Sequence, residues 1–144
     1  MGLGAGPRVH FDIVREALSS ALAGDPRIAY ALVFGSSARG SATVHSDLDV
    51  AVDLAAGVRL TALDLGELAA RLEAASGRPV DLVLLEAAPP GLAYRIFRDG
   101  DLIVVRDARQ MAERRAKAIL EYLDFQPIEE LCARGVLAAA AHGR

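Results

Sequence analysis

The sequence predicts an α+β (mixed α/β) domain with about four short strands flanked by helices and further helices at its C-terminus. Three observations carry this. Short apolar runs rich in strand formers recur at residues 28–34, 80–86 and 102–105, and a strictly alternating segment occupies 47–54. Stretches with helical spacing of apolar residues lie before, between and after them. The 144 residues contain no internal repeat or low-complexity linker, and 53% are hydrophobic, enough for one ordinary core without disulfides or a structural metal.

Along the chain, Val14, Ala17, Leu18, Ala21 and Leu22 mark a first amphipathic helix over residues 10–23, which Gly24-Asp25-Pro26 terminates. Ile28 to Phe34 reads as a buried strand that stops at Gly35, where the backbone can turn and approach a ligand closely. A polar loop, SSARGSATVHS, follows. From Asp47 to Leu54 the alternation places Leu48, Val50, Val52 and Leu54 on one face and Asp47, Asp49, Ala51 and Asp53 on the other. The expectation is a packed face and a charged face, with Asp53 assigned to solvent.

Thr61 and Asp64 have the spacing of a capping box, and Leu65, Leu68, Ala69 and Leu72 supply a second helix that closes at Gly77. Residues 80–86, VDLVLLE, form a third strand on which Asp81 is a lone charge; if buried it would need a partner. Pro89-Pro90-Gly91 separates it from a short helix around Leu92 to Phe97, and Asp99-Gly100 turns into a fourth strand, Leu102 to Val105. Residues 107–124 read as an Arg-rich helix, with Pro127 breaking into a last one. Its lone cysteine, Cys132, forms no intrachain disulfide and reads as a plain thiol.

A net charge of −3 with scattered Arg residues lacks the dense basic stripe of a protein that grips long nucleic acid. No stretch has the roughly 18 apolar residues needed to span a bilayer, and the first residues do not resemble a secretory signal, so a cytoplasmic setting is expected.

Chemistry concentrates between residues 35 and 81. Gly35-Ser36 is followed, after ten residues, by Asp47-Leu48-Asp49. A glycine at a strand end lets backbone N–H groups reach phosphate oxygens, and the Ser36 hydroxyl adds a donor. Carboxylates at i and i+2 on a strand point the same way. About 4 Å apart they repel by roughly 4 kcal/mol at an effective dielectric near 20, a penalty that a bound Mg²⁺ removes. Asp81 could complete a three-carboxylate site and accept the proton of an attacking hydroxyl. Arg39 could contact a phosphate or form a structural ion pair, and His45 reads as a loop residue.

With this spacing the chain resembles the nucleotidyltransferase superfamily related to DNA polymerase beta, over most of residues 10–106. The string GSSARGSATVHSDLDVAV looks like the minimal nucleotidyltransferases (MNT). The resemblance implies a short mixed sheet flanked by helices, with a catalytic domain at residues 1–106 and a helical extension at 107–144 packed on it. EYLDFQP, residues 121–127, is similar to MNT antitoxins that accompany HEPN-domain toxins. That likeness implies a type VII-like antitoxin that uses ATP and Mg²⁺, two ions in such enzymes, to move AMP onto a tyrosine hydroxyl of a toxin ribonuclease. A hetero-oligomer with the toxin goes with it. By the same carry-over Gly35 and Ser36 hold the triphosphate, Asp47 and Asp49 hold metal, and Asp81 completes the metal site and activates the acceptor. Two alternatives use the same sequence: a nucleotidyltransferase acting on a small molecule such as an aminoglycoside, and an antitoxin that neutralises its toxin by contact alone.

Overall fold

Local chemistry frames the helices before any tertiary contact is made. The Thr61 hydroxyl accepts from Asp64 N at 3.1 Å while the Asp64 carboxylate accepts from Thr61 N at 2.9 Å, the reciprocal capping box that the sequence predicts. Gly77, at φ +70°, ends the same helix. The structure is a computed structural model, and it describes the backbone of residues 7–35 and 47–141 and the side chains of residues 10–35 and 47–125. Ser36, Arg39 and His45 therefore lie outside the described residues, as does the Cys132 side chain.

The elements run α1 (Pro7–Ala23), β1 (Ile28–Phe34), β2 (Leu48–Leu54), α2 (Ala62–Ser76), β3 (Val80–Leu84), a 3₁₀ turn (Leu85–Ala87), α3 (Pro90–Asp99), β4 (Asp101–Val105) and α4 (Ala108–Ala141). The sheet has the order β3-β2-β1-β4. Central β1 is antiparallel to both β2 and β4, whereas β3 joins β2 in parallel through the crossover helix α2, so the sheet is mixed. Among the described residues no helix is long and apolar enough to cross a membrane.

Two apolar layers sandwich the sheet. On one face Leu18 and Leu22 of α1 and Leu68 and Leu72 of α2 pack against Ala31, Val33, Leu48, Val50 and Val52. On the other, Ile96 and Phe97 of α3 and Met111 of α4 cover Tyr30, Leu32, Ala51 and Val83. A bulge between Ile28 and Tyr30 reconciles the two layers: Ile28 pairs with Leu54 and packs towards α1, while Tyr30 pairs with Asp53 and packs towards α3 and α4. The face of β2 that bears carboxylates is thus roofed along most of its length, including at Asp53, which the sequence reading assigns to solvent.

A second difference concerns α4. The sequence predicts a break at Pro127, but α4 continues through it as one helix of 34 residues. Proline removes one backbone donor and crowds the preceding turn, a cost of about 3 kcal/mol, yet its fixed φ is itself helical. Glu129, Glu130, Leu131 and the alanines beyond are strong helix formers on its far side. Tyr122 of α4 stacks on Tyr94 of α3 with ring centroids 4.0 Å apart, tying the two helices together before that point.

Below the sheet, Asp25 is buried in the turn between α1 and β1. Its carboxylate accepts from Arg27 Nε at 2.9 Å, from the Arg27 terminal nitrogen at 2.8 Å and from Arg71 at 2.9 Å. Arg27, and after it Arg71, hold this carboxyl well below the usual carboxylate range, outweighing the opposing effect of burial. A depressed acid contributes stability that is present above its unfolded value, about 3.9, and is lost as pH falls through the folded value. Melting temperature should therefore fall on acidification below about pH 4, and Asp25→Asn should flatten that acid limb while lowering stability at pH 7. An unchanged acid limb in the variant would remove Asp25 as its cause.

Candidate active site

Asp49 sits where three elements meet. It pairs with Phe34, the last residue of β1, and on its other side with Asp81 of β3 in parallel register. Neighbouring strands lie about 4.8 Å apart, so these two carboxylates leave the same face of the sheet side by side. Asp47 precedes β2 directly, where Leu48 N donates to Pro79 O at 2.8 Å and zips the starts of β2 and β3 together. Gly35 follows Phe34 with φ +75°, turning the chain out of the sheet at the same end. One locus therefore gathers four of the sequence-derived candidates: Gly35, Asp47, Asp49 and Asp81.

Burial grades the three carboxylates: Asp47 and Asp81 are exposed and Asp49 is half-buried. Burial, then Asp81, then Asp47 push the Asp49 carboxyl above its ordinary range. Asp81, expected on an otherwise apolar strand, needs no buried partner because it lies at the open edge strand.

Among the described residues, no three or more His, Cys, Asp or Glu side chains stand at metal-holding distance from one another. What fits a divalent cation is the donor set: hard carboxylate oxygens, mutually repelling, on side chains that two rotatable bonds can turn towards a shared ion. Such a set suits Mg²⁺ rather than a soft metal.

Asp53, assigned to solvent from the sequence, is instead 2% exposed. The Tyr30 hydroxyl donates to Asp53 Oδ2 at 2.8 Å, and Arg114 of α4 donates to the same oxygen through Nε at 3.1 Å. Burial, and then the bond to Asp53, push the Tyr30 phenol well above its ordinary range. The alternation placed Asp53 on the correct face; it could not show that α4 roofs this end of that face. The one signal available was the Arg-rich helix, which could supply a cationic partner to a carboxylate on the sheet.

The same far end of β2 carries two polar cavities. One of about 380 Å³ is lined by Asp53, Glu86, Asp107, Gln110 and Arg114, and the other, of about 440 Å³, by Leu54, Val58, Arg59, Leu84 and Glu86. Neither includes the three clustered carboxylates.

The family model for polymerase beta nucleotidyltransferases matches residues 16–109, which include Gly35, Asp47, Asp49 and Asp81 and all four strands. No curated protein is significantly similar to the chain in sequence. Among solved structures, a toxin–antitoxin with AMP-PNP is 24% identical, with a TM-score of 0.74 over 85% of this chain and 98% of that one. A mutant toxin–antitoxin that contains MntA is 27% identical, with a TM-score of 0.68 over 82% of this chain and 93% of that one. A Shewanella oneidensis complex of a tri-AMPylated HEPN toxin with its MNT antitoxin is 21% identical, with a TM-score of 0.65 over 91% and 98% of the two chains. With a family match spanning the whole sheet and the turn at Gly35, the chain belongs to the polymerase beta nucleotidyltransferase family.

Proposed function

We propose that this chain is an antitoxin that transfers AMP from ATP, with Mg²⁺, to a tyrosine hydroxyl of a cognate HEPN ribonuclease and thereby inactivates it. The observation that carries the chemistry is the pairing of Asp49 with Asp81, beside Asp47 and the Gly35 turn. The choice of nucleotide and acceptor is supported by the neighbours, one with AMP-PNP and one with a tri-AMPylated toxin.

In this reading Gly35 and Ser36 hold the triphosphate through backbone and hydroxyl donors, with Arg39 as a further phosphate contact. Asp47, Asp49 and Asp81 would hold Mg²⁺, which when bound supplies charge neutralisation for the attacking and leaving oxygens. Asp81, exposed on the edge strand, takes the proton of the incoming hydroxyl. The hydroxyl oxygen then bonds to the α-phosphorus, the bond from that phosphorus to the β-bridging oxygen breaks, and pyrophosphate leaves. Asp47 and Asp81 are both exposed, and Asp81 lies on the edge strand, which suits an acceptor carried on another protein whose surface completes the cleft.

The test is the intact mass of the HEPN protein encoded beside this chain, after incubation with the chain, Mg²⁺ and ATP. Increments of whole AMP units, absent with Asp47→Ala, are the expected outcome. No increment despite a stable complex would favour neutralisation by contact. One observation favours that second reading: Leu120 and Leu123, on the outer side of α4, are 63% and 56% exposed and offer an apolar surface for a partner. It predicts that Asp47→Ala still protects cells.

A further inference from the structure

We infer that Gly35 is a positioning residue for the Asp49 carboxylate, a role separate from any contact with phosphate. The inference rests on the proposed role of Asp49 as a metal ligand and assigns a second cause to the glycine beside it.

Three described glycines have left-handed backbones: Gly35 at φ +75°, Gly57 at +79° and Gly77 at +70°. At Gly57 and Gly77 a Cβ would meet nothing within 4 Å, so the backbone conformation alone accounts for glycine there. Gly35 carries an additional demand. A Cβ at this position would collide with Asp49 Oδ2 and would lie 3.3 Å from its Cγ and 3.7 Å from its Cβ. The side chain that would have to yield is the most buried of the three clustered carboxylates.

How the collision would be relieved decides its effect. The backbone of Asp49 is held on both sides, by Phe34 in β1 and by Asp81 in β3, so it cannot retreat without breaking the sheet. The carboxylate can turn about its own two bonds, which is far easier. That rotation would carry its oxygens away from β1 and close off the orientations from which they could turn, with those of Asp47 and Asp81, towards a shared ion. A methyl group at residue 35 would thus spare the fold and spoil the ligand set, even with no nucleotide present.

The experiment measures Mn²⁺ binding by electron paramagnetic resonance in the absence of nucleotide, for the native chain, Gly35→Ala, Gly35→Asn, Gly77→Ala and Asp49→Asn. Asparagine tolerates the left-handed conformation better than alanine but also brings a Cβ. Gly77→Ala imposes comparable backbone strain with no collision. Both Gly35 variants should bind Mn²⁺ about 10- to 100-fold more weakly, the usual effect of disturbing a ligand's support, while Gly77→Ala binds as the native chain does. Native Mn²⁺ affinity in Gly35→Ala, with only ATP affinity lost, would overturn the inference and leave the glycine serving phosphate alone. Recovery of binding in Gly35→Asn would also overturn it, by tracing the defect to backbone strain. A native chain that binds Mn²⁺ no better than Asp49→Asn would instead bring down the metal reading, and this inference with it.

Discussion

Asp49→Asn is expected to reduce the proposed AMP transfer by on the order of 10³-fold while leaving the melting temperature unchanged or raised. The two effects share one origin. Asp49 is half-buried near two other carboxylates, and burial together with Asp81 and Asp47 disfavours its charged form. An amide of the same shape relieves that repulsion, so the fold loses nothing. The proposed transfer, in contrast, would need negative oxygens to compensate a divalent cation, which an amide supplies poorly. Parallel measurement of transfer rate and thermal unfolding checks both signs. Retention of full activity would remove Asp49 from the metal site, and a large drop in stability would show that its charge holds the sheet together.

Arg114→Met should act in the opposite way, on stability first. Asp53 is 2% exposed and keeps two donors, Tyr30 and Arg114. Methionine preserves most of the aliphatic stem but leaves the carboxylate with the tyrosine hydroxyl alone. Removing one partner of a fully buried ion pair costs about 3–5 kcal/mol; since the Arg114 side chain is 24% exposed, solvent screening reduces the expectation to about 2–3 kcal/mol. For a chain of this size that is roughly 6–12 °C in melting temperature. Urea unfolding measures it directly. A loss under about 0.5 kcal/mol would place the pair among surface contacts of little consequence.

The two predictions also divide what could be read from the chain and what could not. Gly35, Asp47 and Asp49 were legible because their geometry is local: a strand ends at a glycine, and alternation puts two carboxylates on one face within three residues. The capping box of α2 and the glycine that ends it were legible for the same reason. Asp53 shows the limit. Period-two alternation gives the face a side chain occupies but not what covers that face, and its cover comes from Arg114, 61 residues away. Pro127 does not end the helix, because a local rule against proline takes no account of how strongly the residues around it favour helix.

Within this protein, the sequence by itself determined the order of strands and helices, the turn at Gly35 and the shared face of Asp47 and Asp49, all consequences of backbone preferences over a few residues. Only the tertiary structure decided that Asp81 stands in register with Asp49, that Gly35 has no room for a Cβ beside that carboxylate, and that Asp53 is an internal anchor for α4. Those facts follow from strand register and helix packing between distant segments, which are set by burial of the two apolar layers as a whole.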